Sequence, residues 1–90
     1  MLGLHLSLKM IEKTAKEEQQ VPDMQYVDSS NIEAIGYDAE LRELHVQFLS
    51  GATYVYSDVE DGVFEDLLQA PSKGSYLNRN IKGRYPYQKL

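Results

Sequence analysis

Basic and aromatic side chains alternate near the C-terminus in a pattern that suits the binding of phosphates and bases. Tyr76, Arg79 and Lys82 follow one another at intervals of three residues, which aligns them along one side of a predicted helix. Arginine and lysine neutralise phosphates, and tyrosine rings stack on bases. The candidate binding residues of this region are Lys73, Tyr76, Arg79, Lys82, Arg84 and Tyr85. The alternative interpretation is a solvated basic helix face that pairs with an acidic surface of the same chain or of a neighbour.

The charge of the chain is distributed unevenly. The formal net charge is −5, which by itself argues against a nucleic-acid-binding protein. Residues 72–90, however, carry five basic side chains and no acid, whereas residues 1–71 carry the other four basic and all 14 acidic side chains. This asymmetry predicts a basic end that attracts either phosphate or the acidic part of another copy.

Two further tyrosines, Tyr54 and Tyr56, are candidates for stacking on bases, since every base presents an aromatic face. A second interpretation is that both rings cap the hydrophobic core and leave their hydroxyls at its rim. The hairpin register derived below favours this second interpretation, because it places both tyrosines on the apolar face. Both residues nevertheless remain in the predicted binding set.

Residue types that could perform hydrolysis are present without a recognisable catalytic pattern. They are Ser29, Ser30, His45 and either Asp28 or Asp58. No nucleophile elbow surrounds either serine, and local turn hydrogen bonds are the expected role of both. We therefore predict a protein that is not an enzyme and that needs no cofactor.

The sequence also predicts no metal site. Cysteine is absent, and His5 and His45 have no ligand-like spacing to each other or to acids. Residues 58–62 superficially resemble a calcium loop, but the phase of the ligands is wrong and Glu65 comes too early to bind in bidentate fashion.

The segment from Leu41 to Tyr56 is predicted to be a β-hairpin around which the fold is organised. Apolar residues alternate with polar ones before Ser50-Gly51, and β-branched and aromatic residues follow it. A two-residue loop would put the tyrosines beside the polar side chains of the first strand. A three-residue loop, residues 49–51 with Gly51 in the left-handed conformation, places all the apolar side chains on one face. We prefer the three-residue loop.

Further elements complete an α+β fold in which a three-stranded antiparallel meander is covered by two C-terminal helices. A strand over about residues 32–37 precedes the hairpin, and Gly36 within it indicates a bulge or a close backbone approach. One helix begins near Asp58 as N-cap and ends before Pro71. Ser72 then caps a second helix over about residues 73–82, which Gly83 terminates.

The N-terminal segment permits two structures. Its leucines at positions 2, 4, 6 and 8 alternate as in a strand, yet a helix over about residues 7–19 also has an apolar stripe. We favour the helix as an extension, with residues 1–23 as extension and linker and residues 24–90 as the domain. Exposed leucines predict a homo-oligomer through residues 1–20. No apolar run approaches the roughly 18 residues of a membrane span, and the absence of cysteine suits a cytoplasmic protein.

An ordered set of residues in this chain resembles the KTSC family. It comprises residues 27–30, 35–38 and 54–56, together with Phe48, Gly51, Val59, Ala70, Ser72, Gly74, Tyr76, Asn78, Ile81 and Tyr85. The family is named for a domain at the C-terminus of some lysyl-tRNA synthetases, and it also occurs in small bacterial and phage proteins. The family has no established function, and RNA binding has been suggested for it from the synthetase attachment. The chain departs from the family at Glu60, where proline is frequent.

The function predicted from these observations is a non-catalytic binding module. Its basic, tyrosine-bearing C-terminal region would recognise RNA or another phosphate-containing ligand such as a nucleotide. The alternative is a protein-interaction or self-assembly module without a nucleic-acid ligand.

Overall fold

The structure is a computed structural model that describes residues 21–90. The strands are β1 (Met24–Tyr26), β2 (Ile32–Asp38), β3 (Glu43–Phe48), β4 (Thr53–Tyr56) and β5 (Tyr87–Lys89), and the helices α1 (Asp61–Gln69) and α2 (Lys73–Asn80) lie between β4 and β5. The strands form one antiparallel sheet in the order β1-β2-β3-β4-β5. The α+β class is confirmed, but the predicted three-stranded sheet is wrong, because a short strand is added at each edge.

The register of the β3–β4 hairpin agrees with the prediction from hydrophobic patterning. Leu44 faces Tyr56 and Val46 faces Tyr54. Phe48 donates its backbone N–H to the carbonyl of Ala52 at 2.8 Å, which closes a loop of residues 49–51. Within that loop Gly51 has a φ of 99°, the left-handed region that glycine adopts without steric cost. The three-residue loop is therefore confirmed.

The hydrophobic core lies between one face of the sheet and the two helices. Its fully buried members come from β2, β3, β4, the loop before α1, both helices and the turn after α2: Ile32, Ile35, Leu44, Val46, Tyr56, Val59, Leu67, Leu77 and Ile81. Leu77 and Ile81 bring α2 and the turn after it into this core. Tyr37 connects β2 to α1 and the loop before it. Its hydroxyl donates to the carbonyl of Val59 at 2.5 Å, and its ring stacks on Phe64.

Gly36 of β2 lies beneath the segment that leads into β1. A Cβ atom added at Gly36 would lie 2.6 Å from the Sδ of Met24 and 2.8 Å from the carbonyl oxygen of Asp23. Only glycine admits so close an approach, as the sequence predicted. The register irregularity of β2 lies elsewhere, between Ile32 and Ala34.

The start of α1 differs from the prediction. The N-cap is Glu60, which makes no side-chain capping hydrogen bond, whereas Asp58 lies in the preceding loop with a φ of 62°. An N-cap residue needs extended backbone angles, so the left-handed Asp58 cannot serve as one, and the predicted cap is wrong. The helix ends at Gln69, before Pro71, as predicted.

The second helix begins as predicted but ends earlier. The Ser72 hydroxyl accepts a hydrogen bond from the backbone N–H of Ser75 at 3.3 Å, which confirms the N-cap. The last helical residue is Asn80, not Lys82. Residues 81–84 form a turn in which Gly83 has a φ of 79°, so glycine follows the helix in the left-handed conformation.

The predicted N-terminal helix over residues 7–19 and the oligomer through residues 1–20 lie outside the described residues. Within residues 21–90, neither helix is long and apolar enough to cross a membrane. In the same part of the chain, no three His, Asp or Glu side chains are grouped so as to hold a metal ion.

Candidate functional site

An open cleft of about 560 Å³ lies where the β3–β4 loop meets the turn after α2 and the last strand. Four segments contribute to it: the loop before β2, the β3–β4 hairpin, the turn after α2 and β5. Its lining residues are Ser30, Asn31, Phe48, Leu49, Ser50, Ala52, Tyr54, Lys82 and Lys89. The lining contains two lysines and no acid, so the cleft offers positive charge beside aromatic and hydroxyl groups.

The aromatic side of the cleft is built by the sheet register. The rings of Phe48 and Tyr54 meet edge to face, with centroids 5.6 Å apart. Tyr54 also contacts Tyr87 of β5 at a centroid distance of 5.5 Å, and Tyr87 in turn contacts Tyr56 at 5.9 Å. Only 1% of Tyr56 is exposed, whereas Tyr87 is 62% exposed. The cluster therefore runs from a buried ring to an exposed one.

The two lysines reach the cleft from different elements. Lys89 lies directly opposite Tyr54 in the pairing of β5 with β4. Lys82 lies in the turn after α2, where its backbone N–H donates to the carbonyl of Leu77 at 2.9 Å. Both residues are exposed, and neither forms an ion pair with an acid among residues 21–90. Two ammonium groups free of carboxylate partners can attract one anionic ligand.

The predicted binding residues fall into different parts of the surface. Tyr54 and Lys82 share the cleft described above, which the sequence did not indicate. Tyr76 and Arg79 line a separate groove of about 300 Å³ beside the loop between the helices. The periodic alignment of the three residues is broken because α2 ends at Asn80 and Lys82 lies in the turn that follows.

The groove at Tyr76 is less suited to an anion than the cleft. Burial raises the pKa of the Tyr76 hydroxyl, and the nearby carboxylate of Asp66, which also hydrogen-bonds to it, raises the pKa further. A carboxylate at this position opposes the approach of phosphate.

The remaining predicted residues have structural or peripheral positions. Lys73 donates from its Nζ to the carbonyl of Ala70 at 3.1 Å. Tyr85 is half-buried against the core, and Arg84 is exposed in the same turn as Lys82. Tyr56 belongs to the core, as the alternative interpretation held, and has no accessible face for a base.

The hydrolase residue types are not organised as a catalytic group. The Ser29 hydroxyl oxygen accepts from the backbone N–H groups of Asn31 and Ile32 at 3.3 and 3.2 Å, a local turn arrangement that was predicted. His45 is 5% exposed, and its Nε2 lies 3.8 Å from Glu43, the next outward-facing residue on the same strand. Burial lowers the pKa of His45, and its Nδ1 has no hydrogen-bond partner among residues 21–90.

Comparison with known domain families gives a match over most of the described chain. The model of the KTSC domain matches residues 28–85. The chain belongs to the KTSC domain family. The resemblance inferred from the ordered residues between Val27 and Tyr85 is thereby confirmed. The match includes Tyr54 and Lys82 of the cleft but ends before β5, so Tyr87 and Lys89 lie beyond it.

Individual KTSC relatives agree with this assignment. A protein of Tsukamurella paurometabola is 48% identical over 62 residues, which cover 69% of this chain and 92% of that protein. The crystal structure of a KTSC domain protein from Yersinia pestis has a TM-score of 0.74 and 37% sequence identity, and the match covers 76% of this chain and 96% of the other.

A third relative is much longer than the KTSC chain described here. The lysine–tRNA ligase of Nostoc punctiforme is 38% identical over 63 residues, which are 70% of this chain but only 11% of the ligase. The chain is therefore related to one small region of that enzyme.

Proposed function

We propose that this KTSC domain is a non-catalytic binding module that recognises RNA, or another ligand carrying phosphate, in the cleft between the β3–β4 loop and β5. The observation that carries the proposal is that Lys82, Lys89 and Tyr54 line one cleft whose lining contains no acid. Phosphate attracts the two ammonium groups, and the aromatic side accepts a base or another flat group.

The charge distribution and one relative support the same function. The five basic residues of segment 72–90 form the electropositive end of an otherwise acidic chain. Arg84 shares the turn with Lys82 and extends this end, and Arg79 lies in the last turn of α2, three residues before Lys82. A lysine–tRNA ligase acts on an RNA, and the KTSC-like region of such an enzyme supports RNA as the phosphate-bearing partner.

Replacing Lys82 tests the proposal directly. Fluorescence anisotropy with a labelled RNA of about 12 nucleotides would measure affinity over a series of salt concentrations. Lys82→Gln should weaken binding roughly tenfold at low salt and reduce the slope of log affinity against log salt by about 0.7, because one phosphate contact is lost.

Arg42→Gln is the matched control, since it removes one charge at the opposite end of the sheet, in the turn between β2 and β3. Its affinity should stay within about twofold of the unaltered protein, because exposed charges beyond about one Debye length are largely screened. Equal loss of affinity in both variants would show that only net charge matters and would refute the cleft as the binding site.

A self-assembly module remains the second candidate, and exposed apolar residues around β1 favour it. Val21 is 58% exposed and Tyr26 is 78% exposed, and β1 is an edge strand next to residues 1–20. Light scattering after size-exclusion chromatography of the full chain and of residues 21–90 tests it. An oligomer that survives high salt and becomes monomeric without residues 1–20 would favour assembly; a monomer in both cases would remove this candidate.

A further inference from the structure

The exposed ring of Tyr87 suggests which kind of phosphate-bearing polymer fits the cleft. Tyr87 lies opposite Tyr56 on the outermost strand and is 62% exposed, although its ring contacts both Tyr54 and Tyr56. The ring is therefore held by its neighbours and still presents accessible aromatic surface. A ring whose orientation is already fixed loses little conformational freedom when a base stacks on it.

The position of Tyr87 relative to Lys89 fits one nucleotide unit. The two residues are separated by a single residue in β5, so both side chains emerge on the same side of the sheet. Two residues of strand span about 6.6 Å. A base stacked on Tyr87 can thus carry its sugar-phosphate backbone past Lys89 and on toward Lys82 in the cleft.

We propose that the KTSC cleft binds single-stranded nucleic acid, with one base stacked on Tyr87 and the adjoining phosphates at Lys89 and Lys82; this inference rests on the proposed function. In a duplex the faces of the bases are covered by their neighbours, so a duplex offers phosphates to the lysines but no free base face to Tyr87. Preference for single strands is therefore the property that distinguishes stacking from charge attraction alone.

The chain contains a close control for Tyr87. Tyr26 is also an exposed tyrosine on an edge strand, but it lies on β1, at the opposite edge of the sheet from β5. Substituting each tyrosine with leucine removes one exposed tyrosine ring, from β5 in one variant and from β1 in the other. Tyr87→Phe keeps the stacking surface and removes only the hydroxyl.

The experiment measures anisotropy with a labelled single-stranded RNA of about 12 nucleotides, the DNA of the same sequence and the corresponding RNA duplex. Tyr87→Leu should weaken single-strand binding about tenfold, while Tyr87→Phe and Tyr26→Leu stay within about twofold. Duplex affinity should be weaker at the outset and unaffected by Tyr87→Leu. Tighter binding of the RNA strand than of the DNA strand would identify RNA as the ligand. Equal binding would mean that the cleft accepts single-stranded RNA and single-stranded DNA alike.

A second readout covers the case in which Tyr87→Leu fails to fold. An oligonucleotide carrying 2-aminopurine loses fluorescence when that base stacks on a ring, and saturating unaltered protein should quench it. Unquenched fluorescence at saturation, or undiminished single-strand binding by folded Tyr87→Leu, would overturn the stacking proposal. If Lys82→Gln still weakened binding in that case, the phosphate-binding function would stand. Absence of binding to all three nucleic acids at low salt would overturn both the stacking proposal and the phosphate-binding function.

Discussion

Lys89 lies directly opposite Tyr54 in the antiparallel pairing of β5 with β4. This one pairing brings a cation from the C-terminal end of the chain to the aromatic side of the cleft. Lys89 is an exposed residue of the three-residue strand β5. The pairing of β5 with β4 determines where the backbone of Lys89 lies. The basic character of the cleft therefore depends on β5 as well as on the turn that contains Lys82.

Removing the Lys89 charge should reproduce the effect of removing that of Lys82. We expect Lys89→Gln to weaken binding of single-stranded RNA severalfold and to lower the salt slope by about 0.7. The double variant should lower the slope by about 1.4, because each lysine neutralises its own phosphate. Anisotropy titrations over a range of salt concentrations measure these slopes. A double variant no weaker than Lys82→Gln alone would show that Lys89 contacts no phosphate.

The hydrogen bond from Tyr37 to the carbonyl of Val59 should be visible in stability. Tyr37→Phe keeps the stack on Phe64 but leaves that carbonyl without this donor, so the free energy of unfolding should fall by about 1 kcal/mol. Tyr26→Phe is the control, since its hydroxyl is on an exposed side chain. Urea denaturation measures both variants, and equal stabilities would mean that the Tyr37 hydrogen bond contributes nothing net.

Gly36→Ala should destabilise the domain through steric conflict. The added methyl group would meet the Met24 thioether and the carbonyl oxygen of Asp23. We expect a loss of roughly 1–3 kcal/mol, because the backbone oxygen cannot move as easily as a side chain. Combining Gly36→Ala with Met24→Ala should recover only part of the loss. Full recovery in thermal or urea unfolding would show that Asp23 imposes no constraint.

Gly51→Val should destabilise the domain for a different reason. Within the described part of the chain, no atom lies within 4 Å of a Cβ added at Gly51, but its φ of 99° is strained for any residue with a branched side chain. We expect a loss of about 1–3 kcal/mol from backbone strain alone. Ser50→Val, in the same exposed loop, is the control. An unchanged melting temperature for Gly51→Val would contradict the three-residue loop.

The stability of the domain should fall as the pH is lowered through the range in which His45 titrates. Burial lowers the pKa of His45 below its ordinary value of 6.5, and the carboxylates of Glu43 and Asp38 oppose this shift only in part. The unfolded chain therefore binds a proton before the folded chain does, so stability is greatest above about pH 6.5 and declines below it. Urea denaturation between about pH 8 and pH 5 should show this decline.

His45→Gln provides the comparison for the pH effect. The substitution removes the titrating group, so the decline just below about pH 6.5 should become much smaller, whatever the absolute stability of the variant. A decline of the same size in His45→Gln would assign the pH dependence to other groups.

The central hairpin was predictable because local patterning determines it. Alternating apolar residues fix which face is buried, and the position of Gly51 fixes the loop, so the pairing of Val46 with Tyr54 followed from the sequence alone. The caps of α2 were equally local, since Ser72 and Gly83 act within a few residues of the helix ends.

The two edge strands were missed because three residues are too few to show a period. β1 follows Pro22, and β5 follows Pro86, so both segments have the composition of connecting chain. Their strand character comes from pairing with β2 and β4, which is a property of the tertiary structure. The N-cap predicted at Asp58 was wrong because the prediction used residue type alone. The left-handed backbone of Asp58, which residue type does not reveal, excludes a capping role.

The composition of the cleft was predicted only in part for the same reason. Helical spacing grouped Lys82 with Tyr76 and Arg79, but α2 ends before Lys82, and the turn directs that residue to the cleft. Lys89 was not selected because nothing in the sequence shows that it faces Tyr54. A basic residue near the C-terminus was visible, but its neighbour across the sheet was not.

Mapping the contact surface by NMR tests the central claim most directly. The amide resonances of ¹⁵N-labelled full-length protein would be followed while single-stranded RNA of about 12 nucleotides is added. We expect the largest shift changes in residues 48–54 and 82–89, which surround the cleft, and small changes around Arg42. Changes centred on Tyr76 and Arg79 without the cleft, or no changes at low salt, would contradict the proposed site.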